Sequence, residues 1–104
     1  MFCNITTSTD QKEIAKEISR ELLEKKYSPC IQITGPVESQ YIWDGKIKST
    51  EEYKIDIKTL DGLSEKVMIL IKSIHNYEVP EIIKSPIAIE NKDYKNWVLE
   101  NTKK

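Results

Sequence analysis

The N-terminal part of the chain has the apolar spacing of an amphipathic helix. Ile14, Ile18 and Leu22 follow one another at intervals of four residues, so they lie on one face of a helix. Asp10 stands three residues before Glu13, which predicts a capping box in which the Asp10 carboxylate accepts hydrogen bonds from free N–H groups of the first turn. The helix is expected to end before the next proline, because proline cannot continue it.

A second apolar stripe predicts another helix in the C-terminal half of the chain. Its apolar positions are Leu63, Val67, Leu70, Ile71 and Ile74. Asp61 precedes the stripe and is predicted to cap the helix, which ends at His75 and Asn76. A further short helix is predicted around Tyr94 and Trp97, close to the end of the chain.

Alternating apolar and polar positions predict strands in most of the remaining chain. The first strand is short and covers residues 2–7. A second alternation begins at Cys30, is interrupted at Gly35-Pro36, where we expect a bend or a bulge, and then resumes. Asp44-Gly45 follows as a two-residue hairpin signal, because both residues tolerate the positive φ angles of a type I′ turn. The return strand runs to Thr59.

The predicted elements follow one another in the order β-α-β-β-α-β, with a terminal helix after them. The last strand lies within residues 82–89, where Pro86 places it at a sheet edge or a bend. This order is that of the ferredoxin-like fold, an α+β arrangement in which one antiparallel sheet carries two helices on one face. A chain of 104 residues is expected to form a single domain, covering residues 1–104.

The predicted hairpin between residues 30 and 59 is too long for two helices to cover. Its arms run well beyond the ~5–6 residues of a typical strand. Its distal part carries Tyr41 and Trp43, which alternate onto one face. We therefore predict that the hairpin pairs with a neighbouring subunit and that these aromatic residues lie in the subunit interface. A ligand-stacking role for them is the alternative.

Composition and charge exclude several classes of function. The apolar fraction is 38%, below the ~45–50% that is usual when glycine is counted as well, and this fits burial completed in an oligomer. Sixteen basic and seventeen acidic residues leave no basic excess for binding nucleic acid.

No apolar run approaches the ~18 residues of a membrane helix, and the chain opens without a signal-peptide pattern. Cys3 and Cys30 form no disulfide framework, which indicates a cytoplasmic protein.

His75 is the main candidate for a metal ligand, since it is the only histidine and imidazole suits copper and zinc. Glu78 and Glu81 are near it in sequence, and Cys30 would join them if its strand ran close by. The alternative for His75 is a residue that ends its helix and interacts with the helix dipole. The alternative for Cys30 is a small buried side chain.

A second candidate site is a pocket between subunits. Lys58, Tyr77 and Glu81, with His75 and Glu78 beside them, would supply an ammonium group, a phenol and carboxylates to orient a small anion. The alternative is a polar cluster that closes one end of the sheet.

Catalytic motifs are absent from the sequence. It contains no GxSxG, P-loop, GxGxxG or HExxH pattern, and a single histidine serves at most one catalytic triad. The adjacent acidic residues Glu51 and Glu52 are interpreted as a solvated strand edge. We therefore expect neither an enzyme nor an organic cofactor.

Five segments of the chain, in the same order, resemble sequence motifs of the CutA divalent-cation tolerance family. They are Ser28-Pro29-Cys30-Ile31-Gln32, Tyr41-Ile42-Trp43-Asp44-Gly45-Lys46, Lys58-Thr59, His75-Asn76-Tyr77-Glu78-Val79-Pro80 and Tyr94-Lys95-Asn96-Trp97. The resemblance implies a cytoplasmic homotrimer similar in architecture to the PII signalling proteins, with a role in tolerance of divalent metals, chiefly copper. It implies His75 as the principal ligand, because Ile74 stands where family members carry a second histidine. The family's first-strand cysteine is replaced in the Ile5-Thr6-Thr7 region.

Three functions remain open at this point. The first is a trimer that acts in divalent-metal tolerance and binds copper or another divalent metal weakly. The second is a trimeric PII-like module that holds a small anion in its intersubunit clefts. The third is a structural trimer on which another protein docks.

Overall fold

A computed structural model describes residues 1–103, which form one four-stranded antiparallel sheet with three helices. The elements in chain order are β1 (Phe2–Thr9), α1 (Lys12–Glu24), β2 (Cys30–Trp43), β3 (Lys46–Leu60), α2 (Ser64–Ile74), β4 (Ile83–Ile87) and α3 (Lys92–Glu100). The strand order is β2-β3-β1-β4, so β4 is an edge strand and β1 lies inside the sheet. The predicted ferredoxin-like α+β fold is confirmed.

Side chains that alternate along the two central strands form the core on one face of the sheet. Ile5 pairs with Ile57, and Thr7 pairs with Ile55, so these side chains point the same way. The fully buried members of this core from the strands and from α1 and α2 are Cys3, Ile5, Ala15, Ile18, Leu22, Ile55, Ile57, Val67 and Ile71. Each large side chain in this set contributes roughly 1.5–3 kcal/mol by leaving water.

The opposite face of the sheet is polar at its centre. Asp56 accepts hydrogen bonds from Asn4 and Thr6 across the β1–β3 pair, at 3.1 and 2.8 Å. α3 lies near one end of this face, because its Lys95 Nζ sits 5.9 Å from the centre of the Phe2 ring. No helix among residues 1–103 is long and apolar enough to cross a membrane.

The β2–β3 hairpin extends beyond the rest of the sheet. Residues 53–60 of β3 pair with β1, whereas residues 46–52 pair with β2 alone. At about 3.3 Å per residue this overhang measures roughly 20 Å. It gives the chain a length of 46 Å and a radius of gyration of 14.4 Å, above the ~13 Å of a compact chain of this size. The predicted long hairpin is confirmed.

Two irregular positions shape this hairpin. The predicted interruption is a register shift between Thr34 and Val37. Gly35 fits there because a Cβ would lie 2.7 Å from the Tyr53 ring. At the tip, Asp44 and Gly45 have φ angles of 53° and 71°, as a type I′ turn requires.

Both helix caps predicted from aspartate are wrong. Gln11 precedes α1 without a side-chain cap, and the Asp10 carboxylate instead accepts a hydrogen bond from Asn76 Nδ2. Asp61 opens a 3-10 turn before α2, and its carboxylate pairs with the N-terminal ammonium group and with Lys84. In each case a partner distant in sequence outcompetes the local N–H groups.

The C-terminal elements differ from the prediction in one boundary. β4 covers Ile83–Ile87 only, while its edge position agrees with the presence of Pro86. The predicted terminal helix is present as α3, and Asn91 caps it by accepting from the N–H groups of Asp93 and Tyr94.

Candidate functional site: an acidic cleft beside the hairpin

A cleft of about 930 Å³ lies between the hairpin and the loop that joins α2 to β4. One wall comes from the hairpin face that carries Tyr41 and Trp43. The other comes from the loop residues 76–81, and Ser8 of β1 lies between the two walls. Tyr41 on β2 pairs with Lys48 on β3, so their side chains lie on the same face of the hairpin. Glu52 lies on that face as well, because it is an even number of residues from Lys48 along the strand.

His75 fixes the start of the loop to the end of β1. Its backbone N–H donates to the Ile71 carbonyl and closes the last turn of α2. Its ring Nδ1 accepts from the Tyr77 N–H at 3.0 Å, so Nε2 carries the proton and donates to the Ser8 carbonyl at 2.8 Å. Both ring nitrogens are therefore engaged with backbone groups. His75 does end α2 as expected, but its ring binds β1 and the loop instead of the helix carbonyls.

Tyr77 connects the loop to the base of the hairpin. Its hydroxyl donates to Glu52 Oε2 at 2.6 Å, and the Glu52 residue is only 8% exposed. Burial, together with the hydrogen bond to Glu52 and the charge of that residue, raises the pKa of Tyr77 well above its usual range. The phenol therefore stays protonated and donates to Glu52 at all ordinary pH values.

A second set of polar contacts holds the loop against β1. The Thr9 hydroxyl donates to Asn76 Oδ1 at 2.5 Å, and Asn76 Nδ2 donates to Asp10 at 2.9 Å. The Ser8 hydroxyl donates to Glu81 Oε1 at 3.1 Å, near the other end of the loop. With both ends tied to β1, the loop forms a fixed wall of the cleft.

The charged lining of the cleft favours a cation. Glu52, Glu78 and Glu81 contribute three carboxylates, whereas Lys48 is the one basic residue among the lining residues. Carboxylates in a partly closed cleft concentrate their field and attract positive charge. The cleft within this chain is therefore better suited to a cation than to the small anion predicted from Lys58, Tyr77 and Glu81.

Comparison with known proteins assigns the family. The family model for the CutA1 divalent ion tolerance protein matches residues 3–101. The chain belongs to the CutA1 family. The resemblance in the five sequence segments is thus confirmed.

Relatives of known name match this CutA1 chain over most of its length. The divalent-cation tolerance protein CutA of Thermus thermophilus is 32% identical over 98 residues, covering 94% of this chain and 95% of that protein. Protein CutA of Mus musculus is 35% identical and covers 88% of this chain, but the chain spans only 51% of the mouse protein. A solved structure of the divalent cation tolerance protein from Thermus thermophilus has a TM-score of 0.93 at 31% identity and covers 99% of this chain and 100% of that one.

The structure separates the predicted site residues of this CutA1 chain into two groups. Tyr77, Glu78 and Glu81 lie in the cleft with Tyr41 and Trp43, and His75 holds its edge. Cys30 and Lys58 lie elsewhere and pair with each other across β2 and β3. Ser8 of the cleft pairs with Lys54 on β3, and Lys58 is four residues further along that strand. Lys58 is therefore about 13 Å along the strand from the level of the cleft.

The surroundings of Cys30 and Lys58 confirm that they belong to another part of the sheet. Cys30 lies beside Tyr94 of α3, and burial, together with the nearby Cys30 thiol, raises the pKa of the Tyr94 hydroxyl. Lys58 Nζ donates to Gln32 Oε1 at 3.4 Å. Within the chain, neither the predicted metal set nor the predicted anion set comes together as a whole.

The metal-ligating side chains of this chain do not form a site for a tightly held resident metal. Zinc sites take about four ligands, with at least three from protein. Among residues 1–103, no group of three or more His, Cys, Asp or Glu side chains lies close enough to hold an ion. His75 would also lose a backbone hydrogen bond to free a ring nitrogen.

The most buried carboxylate of the cleft, Glu52, is not among the predicted site residues. Glu52 was interpreted as solvated together with Glu51, and this is wrong for Glu52, which is buried, and right for Glu51, which is exposed. Strand alternation alone places the two on opposite faces. It does not reveal that a loop more than twenty positions later covers one of them, as the Tyr77 contact shows.

Proposed function

We propose that this CutA1-family chain works as a homotrimer in the tolerance of divalent cations, copper among them, as a cytoplasmic, non-catalytic protein. Family membership supports the role in divalent-ion tolerance. The acidic cleft supports a cationic ligand. Free Cys3 and Cys30 support a reducing compartment. The engagement of both His75 ring nitrogens with backbone groups supports a role without general acid–base chemistry.

The main support for an oligomer is the exposed apolar tip of the hairpin. Ile42 and Ile47 face each other across the two strands and are 74% and 84% exposed. Trp43, on the other face, is 51% exposed. An overhanging two-stranded ribbon with apolar residues on both faces is marginally stable in water, and it is stabilised by packing on another copy of the chain. The number three follows from the resemblance to the CutA family.

Sedimentation equilibrium of the wild-type protein and of Trp43→Ala tests this assembly. We expect a wild-type mass three times the 12.1 kDa of one subunit. Truncating a buried interface tryptophan commonly costs about 2 kcal/mol or more, which weakens association by roughly thirtyfold per contact. The Trp43→Ala protein should therefore dissociate at a protein concentration where wild type stays assembled.

Ile69→Ala provides the matched control. Ile69 is an apolar residue of α2 that is 61% exposed. Its truncation should leave the mass unchanged. A monomeric wild-type protein at micromolar concentration, or equal masses for wild type and Trp43→Ala, would contradict the proposed assembly.

In this proposal copper(II) binds weakly and exchangeably, with His75 as the principal ligand and Glu78 as its helper. His75 is half-buried at the edge of the acidic cleft, and Glu78 lines the cleft three residues later. Binding through Nε2 displaces the hydrogen bond to the Ser8 carbonyl, and this cost keeps the affinity low. Water or a neighbouring subunit supplies the remaining ligands, because Cys30 of the same chain lies on another part of the sheet.

A further inference from the structure

The overhanging hairpin joins the rest of the sheet at a level where the strand pairing is weak on both sides of β3. On one side, Thr9, the last residue of β1, pairs with Tyr53. On the other side, Gly35 and Pro36 of β2 together oppose Tyr53 alone, so the ladder between β2 and β3 is interrupted at the same level. Pro36 also has no N–H to donate. A few residues that can absorb a change of backbone direction form a hinge, and this level has that character.

One side-chain hydrogen bond spans this hinge. Glu52 is the first residue of β3 beyond Tyr53 on the way to the tip, and it is 8% exposed. Its Oε2 accepts from the Tyr77 hydroxyl at 2.6 Å. Tyr77 belongs to the loop that His75 and Asn76 hold against β1. The bond therefore joins the base of the overhang to the body of the sheet.

The hairpin has no other side-chain hydrogen bond of this kind in the described part of the chain. Among residues 1–103, the side-chain bonds of residues 37–52 other than the Tyr77 bond join hairpin residues to each other, Tyr41 to Thr50 and Ser49 to Glu38. No ion pair in this range involves the hairpin either. The direction of the overhang thus depends on the interrupted ladder and on the Tyr77 contact.

Small changes of direction at the hinge become large at the tip. A rotation of ~10° moves the end of a ribbon of roughly 20 Å by about 3.5 Å. Apolar atoms are in contact only within ~4.0–4.5 Å, so such a rotation separates Trp43 from any residue of another subunit against which it packs. A hairpin that is already held in the correct direction associates more tightly, because less conformational freedom is lost on association.

We propose that the Tyr77–Glu52 hydrogen bond is a latch that fixes the direction of the hairpin and thereby favours subunit association. Its effect on association rests on the proposed homotrimer, whereas its effect on the hairpin does not. Tyr77 is a positioning residue in this scheme, since it acts through Glu52 at the base of the hairpin and not at the exposed apolar tip. Opening of the loop at residues 76–81 releases the hairpin and weakens the assembly.

Sedimentation equilibrium of Tyr77→Phe across a range of protein concentrations tests the effect on association. Phenylalanine keeps the ring and removes only the hydroxyl, and we expect association about tenfold weaker than in wild type. Val67→Ala is the control for a general loss of stability, because Val67 is a buried core residue of α2. It should lower the unfolding midpoint and leave the association of the folded protein unchanged.

Substitutions of Glu52 separate the latch from the charge of this residue. Glu52→Gln keeps an oxygen that accepts from Tyr77, so it should retain most of the association. Glu52→Ala removes the acceptor and should weaken association about as much as Tyr77→Phe. The double variant Tyr77→Phe/Glu52→Ala should be no weaker than either single variant, because both remove the same contact.

Hydrogen exchange followed by mass spectrometry reports on the hinge itself. In Tyr77→Phe, the amides of residues 46–52 and 76–81 should exchange faster than in wild type, because both segments lose the bond between them. In Val67→Ala they should exchange as in wild type. A monomeric wild-type protein in which Tyr77→Phe still accelerates exchange at residues 46–52 would overturn the homotrimer and support the latch.

Three results would overturn the latch. The first is exchange at residues 46–52 that is unchanged in Tyr77→Phe, whatever the mass of the wild-type protein. The second is an equal weakening of association by Tyr77→Phe and Val67→Ala, which would show a general loss of stability. The third is a Glu52→Gln protein as weakly associated as Glu52→Ala, which would assign the role of Glu52 to its charge.

Discussion

Thr7 and Thr9 offer a comparison in which the same substitution should have opposite effects. Both lie on the helix-facing side of β1 and both are 0% exposed. The Thr7 hydroxyl has no hydrogen-bond partner among the described residues. The Thr9 hydroxyl donates to Asn76 and accepts from the Gln11 N–H at 3.2 Å. Valine has nearly the same shape as threonine and lacks the hydroxyl, so it isolates the contribution of that group.

The expected magnitudes follow from these contacts. A buried hydroxyl without a partner costs about 1–3 kcal/mol in desolvation. Thr7→Val removes that cost and should stabilise the protein by about 1–2 kcal/mol. Each kcal/mol of added stability raises the Tm of a domain of this size by roughly 4–8 °C. Thr9→Val removes two hydrogen bonds and should destabilise by about 1–3 kcal/mol. The double variant should show nearly the sum of the two effects if Thr7 and Thr9 share no partner.

Thermal and urea unfolding of wild type and both variants, followed by circular dichroism, measures these differences. All proteins must be compared at one concentration, because the stability of an assembly depends on concentration. A drop in Tm for Thr7→Val would refute the reasoning, since it would show that the hydroxyl has a partner in solution. Equal effects of the two substitutions would refute it as well.

Two further predictions concern the polar contacts of the sheet. Tyr77→Phe leaves the buried Glu52 carboxylate without its hydrogen bond and should lower the free energy of unfolding by about 1–3 kcal/mol, measured by urea denaturation; an unchanged midpoint would contradict this. Burial alone would raise the pKa of Asp56, but the hydrogen bonds from Asn4 and Thr6 and the nearby lysines outweigh burial and lower it. Its stabilising effect is therefore complete above the unfolded pKa of ~3.9 and is lost as the pH falls through the lower folded value. Asp56→Asn should lose less stability than wild type as the pH falls below about 4, and equal losses would assign the acid sensitivity to other groups.

Local periodicity was sufficient to predict the order of the helices and strands. The spacing of Ile14, Ile18 and Leu22 and the Asp44-Gly45 turn depend on neighbouring residues, and both elements are confirmed. The same local reasoning predicted an overlong hairpin, which is confirmed by the part of β3 that pairs with β2 but extends beyond β1.

Contacts between distant segments were beyond this reasoning. Asp10 and Asp61 have the sequence context of helix caps, yet their carboxylates bind Asn76, Lys84 and the N-terminal ammonium group. In the folded chain a carboxylate can accept from any N–H or ammonium group near it in space. Sequence spacing identifies only the donors that are also near it in sequence.

The candidate site was predicted in part for the same reason. Tyr77 and Glu81 occur together in one segment, and the fold keeps them together in the cleft. Cys30 and Lys58 were grouped with His75 by chemistry alone, and the sheet register places them at a different level of β3. Glu52 was missed because its burial depends on a loop that no local pattern connects to it.

The most direct test of the function is a calorimetric titration of copper(II) into the assembled protein, beside His75→Ala and Cys30→Ala. We predict saturable, weak binding near one ion per subunit, lost in His75→Ala and retained in Cys30→Ala, with the fold of each variant checked by circular dichroism. Absent binding, or equal binding by wild type and His75→Ala, would contradict a copper site at His75. It would make divalent-ion tolerance an indirect effect of this protein.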